Sequence, residues 1–330
     1  MQLRRLRRPV FWICAVAAVA GCGGGQSAVP AGVIFGEPAV AANAGGRGSW
    51  MARDGKDADL LYVADPGTGG VIVYSYQPPK YKFVGFLTGA ESPAGECVDA
   101  AQNVYVTNHS FSDSHAIFKY AHGGTNPIGI FGDPAGEPIF CSVDPKTGNL
   151  AVVDYPFQNG GATLAIYEKA RGKPRLYGKS GFGMISCAYD DRGNLFVDGD
   201  VIGGYLQFAE LPAGGNTFTT ITLHQSFEFP GSVQWDGKHV AVGDFRAGTL
   251  YRFAIAGKKA TEVGTTPLDG STEVSQFFIQ GPRVLAASAP VEYAGYVKIY
   301  DYPAGGHALR TLSNFSTPIG VVVSARVKSR

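Results

Sequence analysis

PIGVVVS (Pro318 to Ser324) stands near the C-terminus, yet it reads as the opening of a unit rather than its end. Three other phrases share its form: PAGECVD (Pro93 to Asp99), PIFCSVD (Pro138 to Asp144) and PGSVQWD (Pro230 to Asp236). Taking the last residue of each such phrase gives Asp99, Asp144, Asp190, Asp236, Gln280 and Ser324, at intervals of 45, 46, 46, 44 and 44. A period of this length, repeated, marks one supersecondary unit stacked on copies of itself.

Two further columns keep the same step. The runs LYVAD, VYVTN, LAVVD, LFVDG, VAVGD and VLAAS end at Asp65, Asn108, Asp154, Gly199, Asp244 and Ser288. The runs VIVY, IFKY, LAIY, YLQF, LYRF and VKIY end at Tyr74, Tyr120, Tyr167, Phe208, Phe253 and Tyr300. A fourth, less regular apolar run follows each. The links DPKTGN, DDRGN and DG supply the Asp, Asn and Gly that tight antiparallel hairpins need. Four short strands per period, six times over, predict an all-β, six-bladed β-propeller of four-stranded antiparallel blades.

This reading explains the ending. The first blade begins at its second strand, LLYVAD, and lacks a first; PIGVVVS supplies it, so pairing the C-terminal strand with the N-terminal blade closes the ring and leaves no open edge there. The expected propeller spans residues 58–326. The regular Tyr/Phe column reads as core between blades.

The N-terminus reads differently. MQLRRLRR is a positively charged start, PVFWICAVAAVA an apolar stretch, and VAGC (Val19 to Cys22) a small-residue cleavage site, so residues 1–21 form a signal peptide. VAGC resembles the lipobox of bacterial lipoproteins, which implies that Cys22 is lipidated and becomes the first residue. The chain is then expected outside the cytoplasm, held to the cell envelope membrane through Cys22, with Gly23 leaning toward the outer membrane. Residues 22–57, rich in Gly, Ala and Pro, read as a flexible tether reaching about 30–35 Å.

Removing residues 1–21 takes away four arginines and no acid, leaving 24 basic against 27 acidic residues. That balance excludes the basic stripe a nucleic-acid binder needs. The expected form is a monomer whose partners are an envelope protein or a small ligand.

PxGxxVDxxGNLxVxD followed by an IxxY/F strand resembles NHL-repeat propellers and the six-bladed senescence-marker/gluconolactonase group. The second resemblance implies a hydrolase of lactonase type, with a divalent metal such as calcium at the channel mouth. Its ligands here would be Glu96, Asn108, Asp154 and Asp244, with Asp198 and Asp200 nearby. The EGPxW phrase of those enzymes is absent, Glu96 lying in GECVD instead. The competing reading makes the same strand-end Asp and Asn hairpin formers. HSFSDSH (His109 to His115) is a polar loop first and a zinc or copper site second. No GxSxG, HExxH or phosphate-binding glycine motif occurs, so the leading expectation is a binding or scaffold module rather than an enzyme.

Cys141 and Cys187 lie three residues before the end of their phrases, Cys97 two before. Equal offsets place Cys141 and Cys187 at one depth on neighbouring inner strands, where they form either a disulfide or two buried thiols, with Cys97 unpaired.

Overall fold

The structure, a computed structural model, describes residues 48–109, 115–134, 136–155, 163–178, 182–200, 206–290 and 294–326. The signal peptide, Cys22 and the tether as far as residue 47 lie outside the described residues.

All six residues of LLYVAD are buried, as are all five of VYVTN and of VAVGD. A strand apolar on both faces needs a neighbour on both sides, and a ring of blades provides one on each.

In chain order, a short strand β1 (Trp50–Met51) precedes blade 1, made of β2 (Leu60–Asp65), β3 (Gly70–Gln77) and β4 (Lys80–Leu87). Blade 2 is β5 (Pro93–Val98), β6 (Val104–Asn108), β7 (Ala116–Tyr120) and β8 (Pro127–Gly132). Blade 3 is β9 (Glu137–Val143), β10 (Leu150–Tyr155), β11 (Thr163–Tyr167) and β12 (Arg175–Gly178). Blade 4 is β13 (Gly183–Tyr189), β14 (Leu195–Asp200), β15 (Leu206–Leu211) and β16 (Thr219–Ile221). Blade 5 is β17 (Pro230–Trp235), β18 (Val240–Asp244), β19 (Thr249–Ala256) and β20 (Lys259–Pro267). Blade 6 is β21 (Val274–Gln280), β22 (Arg283–Ser288), β23 (Gly295–Asp301) and β24 (Arg310–Phe315). The last strand, β25 (Gly320–Ser324), pairs antiparallel with β2, from Leu60 opposite Ser324 to Ala64 opposite Gly320. Inner strands touch in the order β25, β5, β9, β13, β17, β21 and back to β25, which closes the ring as the repeat predicts.

The described core divides into six clusters, one at each blade interface. Alternate residues of one strand face opposite neighbours: Leu61 and Val63 pack toward blade 6, Leu60 and Tyr62 toward blade 2. The aromatic column is interblade core, with Tyr120, Tyr167, Phe208, Phe253 and Tyr300 all at most 1% exposed.

Neighbouring inner strands form no backbone ladder, so their N–H groups need other acceptors. Side chains of the preceding blade supply them. Ser142 Oγ accepts from Tyr189 N, Ser186 Oγ from Val233 N, and Ser232 Oγ from Phe277 N, at 3.0–3.1 Å. Gln276 Oε1 accepts from Val321 N at 3.0 Å and Glu96 N at 3.1 Å, while its Nε2 donates to Glu96 O at 2.7 Å. It therefore ties blades 6, 1 and 2 together. Glycine at 320 lets β25 pass close to β5; a Cβ there would sit 2.2 Å from Ala94 O.

Two expectations need correction. The last ten residues of the expected tether belong to the fold: β1 adds a fifth strand to blade 1, Trp50 opposite Phe86, and residues Arg53–Asp57 form a 3-10 turn. The outer edge of β4 offers unpaired backbone groups, which this segment covers. The disulfide joins Cys97 to Cys141, not Cys141 to Cys187, with Cα atoms 5.7 Å apart. Cys187 is a buried free thiol. The reason is facing. Cys141 points back toward blade 2 and Cys187, at the same offset, points back toward blade 3, so equal offsets keep the two apart. Cys97, one step out of phase, points forward and meets Cys141.

Candidate functional site

The ends of the second strands gather at one end of the ring, where the chain also passes from each blade into the next. Asp65 closes β2, and its carboxylate accepts from Ser316 N and Thr317 N at 2.8 Å. Asn108 closes β6, and its Oδ1 accepts from Ser92 N at 2.9 Å. Asp244 closes β18 and accepts from Glu228 N at 2.7 Å, and from Arg246 N and Ala247 N at 3.1 Å. Each residue holds the segment that leads into an inner strand. Asp244 also closes its own turn through Arg246 and Ala247, but the partners common to all three residues lie in the incoming segment, so the column is first of all a frame.

Blade 3 departs from this pattern. Its strand-end residue, Asp154, is 2% exposed, and its carboxyl lies against that of Asp133, itself 7% exposed. Burial, and then the Asp133 charge, push Asp154 up to about 9. The pair therefore retains a proton at neutral pH. Beside it, Tyr167 donates to Gly132 O at 3.0 Å, and His109 Nε2 lies 2.7 Å from Glu137 Oε2, tying the end of β6 to the start of β9. Burial lowers the His109 pKa against the raising effect of Glu137.

Glu96 lies elsewhere. It occupies an inner-strand position filled by Cys, Val or Phe in other blades and faces blade 1, where its charge acts on the Tyr62 hydroxyl. Its side chain is buried, its carboxyl oxygens make no hydrogen bond of ordinary geometry, and burial raises its pKa well above the usual carboxylate range. Asp198 Oδ1 accepts from Ser186 N at 3.0 Å, and Asp200 ends β14 opposite Gly183.

The four residues offered as metal ligands are thus not brought together. Asn108 and Asp244 hold backbone, Asp154 is matched with Asp133, and Glu96 is turned into the interface of blades 1 and 2. Among the described residues no group of three or more His, Cys, Asp or Glu is placed to share an ion. His109 and His115 flank residues 110–114, and Asp113 lies outside the described residues.

Sequence reasoning missed Asp133, Glu137 and Gln276. The first two stand in GDPAGEP, an extended approach to Pro138 that the PAGECVD and PGSVQWD phrases lack. Gln276 was legible only as one of two amides in the run VSQFFIQ.

The Asp154 carboxyl makes a testable demand on stability. Its folded pKa lies above the unfolded value of about 3.9, so folding takes up a proton between that pH and about 9. Stability is full below the unfolded pKa and falls as pH rises through this window. Asp154→Asn removes the dependence: its melting temperature relative to wild type should climb steadily from pH 5 to pH 9. Parallel wild-type and variant curves would show that Asp154 holds no proton.

No family model matches this chain. No curated protein matches it either. Solved structures do. A propeller in the nidogen/laminin complex is 15% identical over 81% of this chain and 98% of its own, with a TM-score of 0.65. TolB from Acinetobacter baumannii is 17% identical over 82% of this chain and 67% of its own, at 0.57. A putative 6-phosphogluconolactonase from Bacteroides fragilis is 12% identical over 81% and 98%, at 0.55. At these identities the likeness shows the β-propeller fold, which the chain shares with proteins of unrelated description.

Proposed function

We propose that this protein is a lipid-anchored, extracytoplasmic β-propeller that binds a partner protein or a small envelope ligand on the face where the second strands end. The observation that carries the reading is the use of Asp65, Asn108 and Asp244 to hold the blade-to-blade segments at that face. Loops set on a rigid frame suit recognition. The Cys97–Cys141 bridge supports the compartment, since disulfides persist where the surroundings are oxidising, and agrees with a lipidated Cys22. Of the similar folds, the nidogen/laminin propeller is one described in a protein complex.

A photo-crosslinking residue at Ala247, exposed on this face, should capture a partner in intact cells. One at Arg192, exposed on a hairpin tip at the other end, should not. Equal capture from both ends would overturn the choice of face. Cys22→Ser should move the chain from the membrane fraction to the soluble one.

A second reading, a calcium-dependent hydrolase of lactonase type, draws on Glu96, whose buried carboxyl makes no hydrogen bond of ordinary geometry, and on the likeness to the Bacteroides fragilis protein. It requires Asn108 and Asp244 to release the backbone they hold. Stoichiometric metal in protein purified without chelator, with a melting temperature that falls on chelation, would move this reading ahead.

A further inference from the structure

Blade 4 has a gap in its outer wall. Its outer strand β16 has three residues, whereas those of the other blades have four to nine. β16 covers β15 only from Phe208 to Glu210, so Leu206 and Gln207 have no outer-strand partner. The cause lies just beyond: Thr222 N donates to Lys258 O at 2.9 Å and Thr222 O accepts from Ala260 N at 3.0 Å, which draws the chain across to blade 5. Between β15 and the crossing residues 222–227 lies a cleft of about 340 Å³.

The chemistry of its walls is distinctive. Among the described residues that line it, none is ionisable. The polar groups are the carboxamides of Gln207 and Gln225 and the hydroxyls of Thr220, Thr222 and Ser226, each able to donate and to accept. Gln207 Oε1 is buried without a hydrogen-bond partner, a costly state that a ligand hydroxyl would relieve. Phe227 supplies an apolar wall in a set orientation, held edge-on by Tyr251 at 4.9 Å and 63°. A charged ligand would lose hydration here with no counter-charge to meet it. The volume falls at the small end of the range for ligand sites, roughly 300–1,000 Å³.

We infer that this cleft between blades 4 and 5 binds a neutral, hydroxyl-rich ligand of saccharide type. The site is distinct from the binding face proposed above and stands or falls independently of it.

The test is ligand-observed saturation-transfer NMR on the full-length chain in a sugar-free detergent, with glucose, N-acetylglucosamine and maltose as probes, and glucose 6-phosphate and glucuronic acid as charged counterparts. At least one neutral sugar should saturate in the millimolar range or tighter, with the charged counterparts about ten-fold weaker or more. Gln207→Leu should weaken binding about ten-fold, because it removes the buried acceptor. Thr220→Val provides a second variant should the first fail to fold, and should weaken binding in the same direction. No saturation by any neutral sugar up to about 50 mM would overturn the proposal. So would equal binding of charged and neutral sugars, or affinities that neither variant moves.

Discussion

Gln276→Leu should lower stability more than any other single change argued for this ring. The substitution keeps most of the volume of a buried side chain but strands three backbone groups: the N–H of Glu96, the N–H of Val321 and the carbonyl of Glu96. Each buried unsatisfied group costs about 1–2 kcal/mol, so the loss should be about 3–6 kcal/mol. For a propeller of this size that corresponds to roughly 5–10 °C in melting temperature. The groups belong to blades 1 and 2 while the amide belongs to blade 6, so hydrogen exchange should rise first in β25 and β5. A drop confined to blade 6, or a shift under about 1 °C, would show that Gln276 is not the clasp its contacts describe.

Breaking the Cys97–Cys141 bridge should have an effect of similar size. The bridge closes a loop with a sequence separation of 44, for which the loss of unfolded-chain entropy is about 4 kcal/mol, or roughly 7 °C. A reductant should lower the melting temperature of wild type and of Cys187→Ser by similar amounts, and should leave Cys97→Ser unchanged. If Cys187→Ser were the variant that lost its sensitivity to reductant, the pairing would be Cys141 with Cys187 after all.

These two predictions mark where sequence reasoning ran out. The blade count, the hairpins and the return of PIGVVVS to blade 1 were legible because a period of about 45 residues sets which strands exist and in what order they pair. The hairpin turns were legible as well: Asp99 with Asn103, and Asp190 with Asn194, close their own turns through local hydrogen bonds, which need nothing from the rest of the molecule. The strand-end column was read two ways, as turn formers and as metal ligands. In the bonds that Asp65, Asn108 and Asp244 have in common they take a third role, holding the segments that lead into the inner strands.

Contacts between blades were another matter. Inner strands carry bulges against their partners, between Pro93 and Glu96 in β5, between Met184 and Ser186 in β13 and between Pro230 and Val233 in β17. Every residue three places before a phrase end faces the preceding blade, as Glu96, Cys141 and Cys187 do, and only the packing of the blades shows which way that offset points. That is why Cys97, one step later and facing forward, meets Cys141 while Cys187 does not, and why Glu96 turns toward Tyr62 instead of joining Asp154 and Asp244. Asp133 beside Asp154, and Gln276 between Val321 and Glu96, likewise meet only through packing. By itself the sequence determined the six blades and their closure, because repeated local patterns and tight turns encode them. The tertiary structure alone decided which disulfide forms, which acid keeps its proton and where the cleft opens, because those depend on the facing and spacing of strands far apart in the chain.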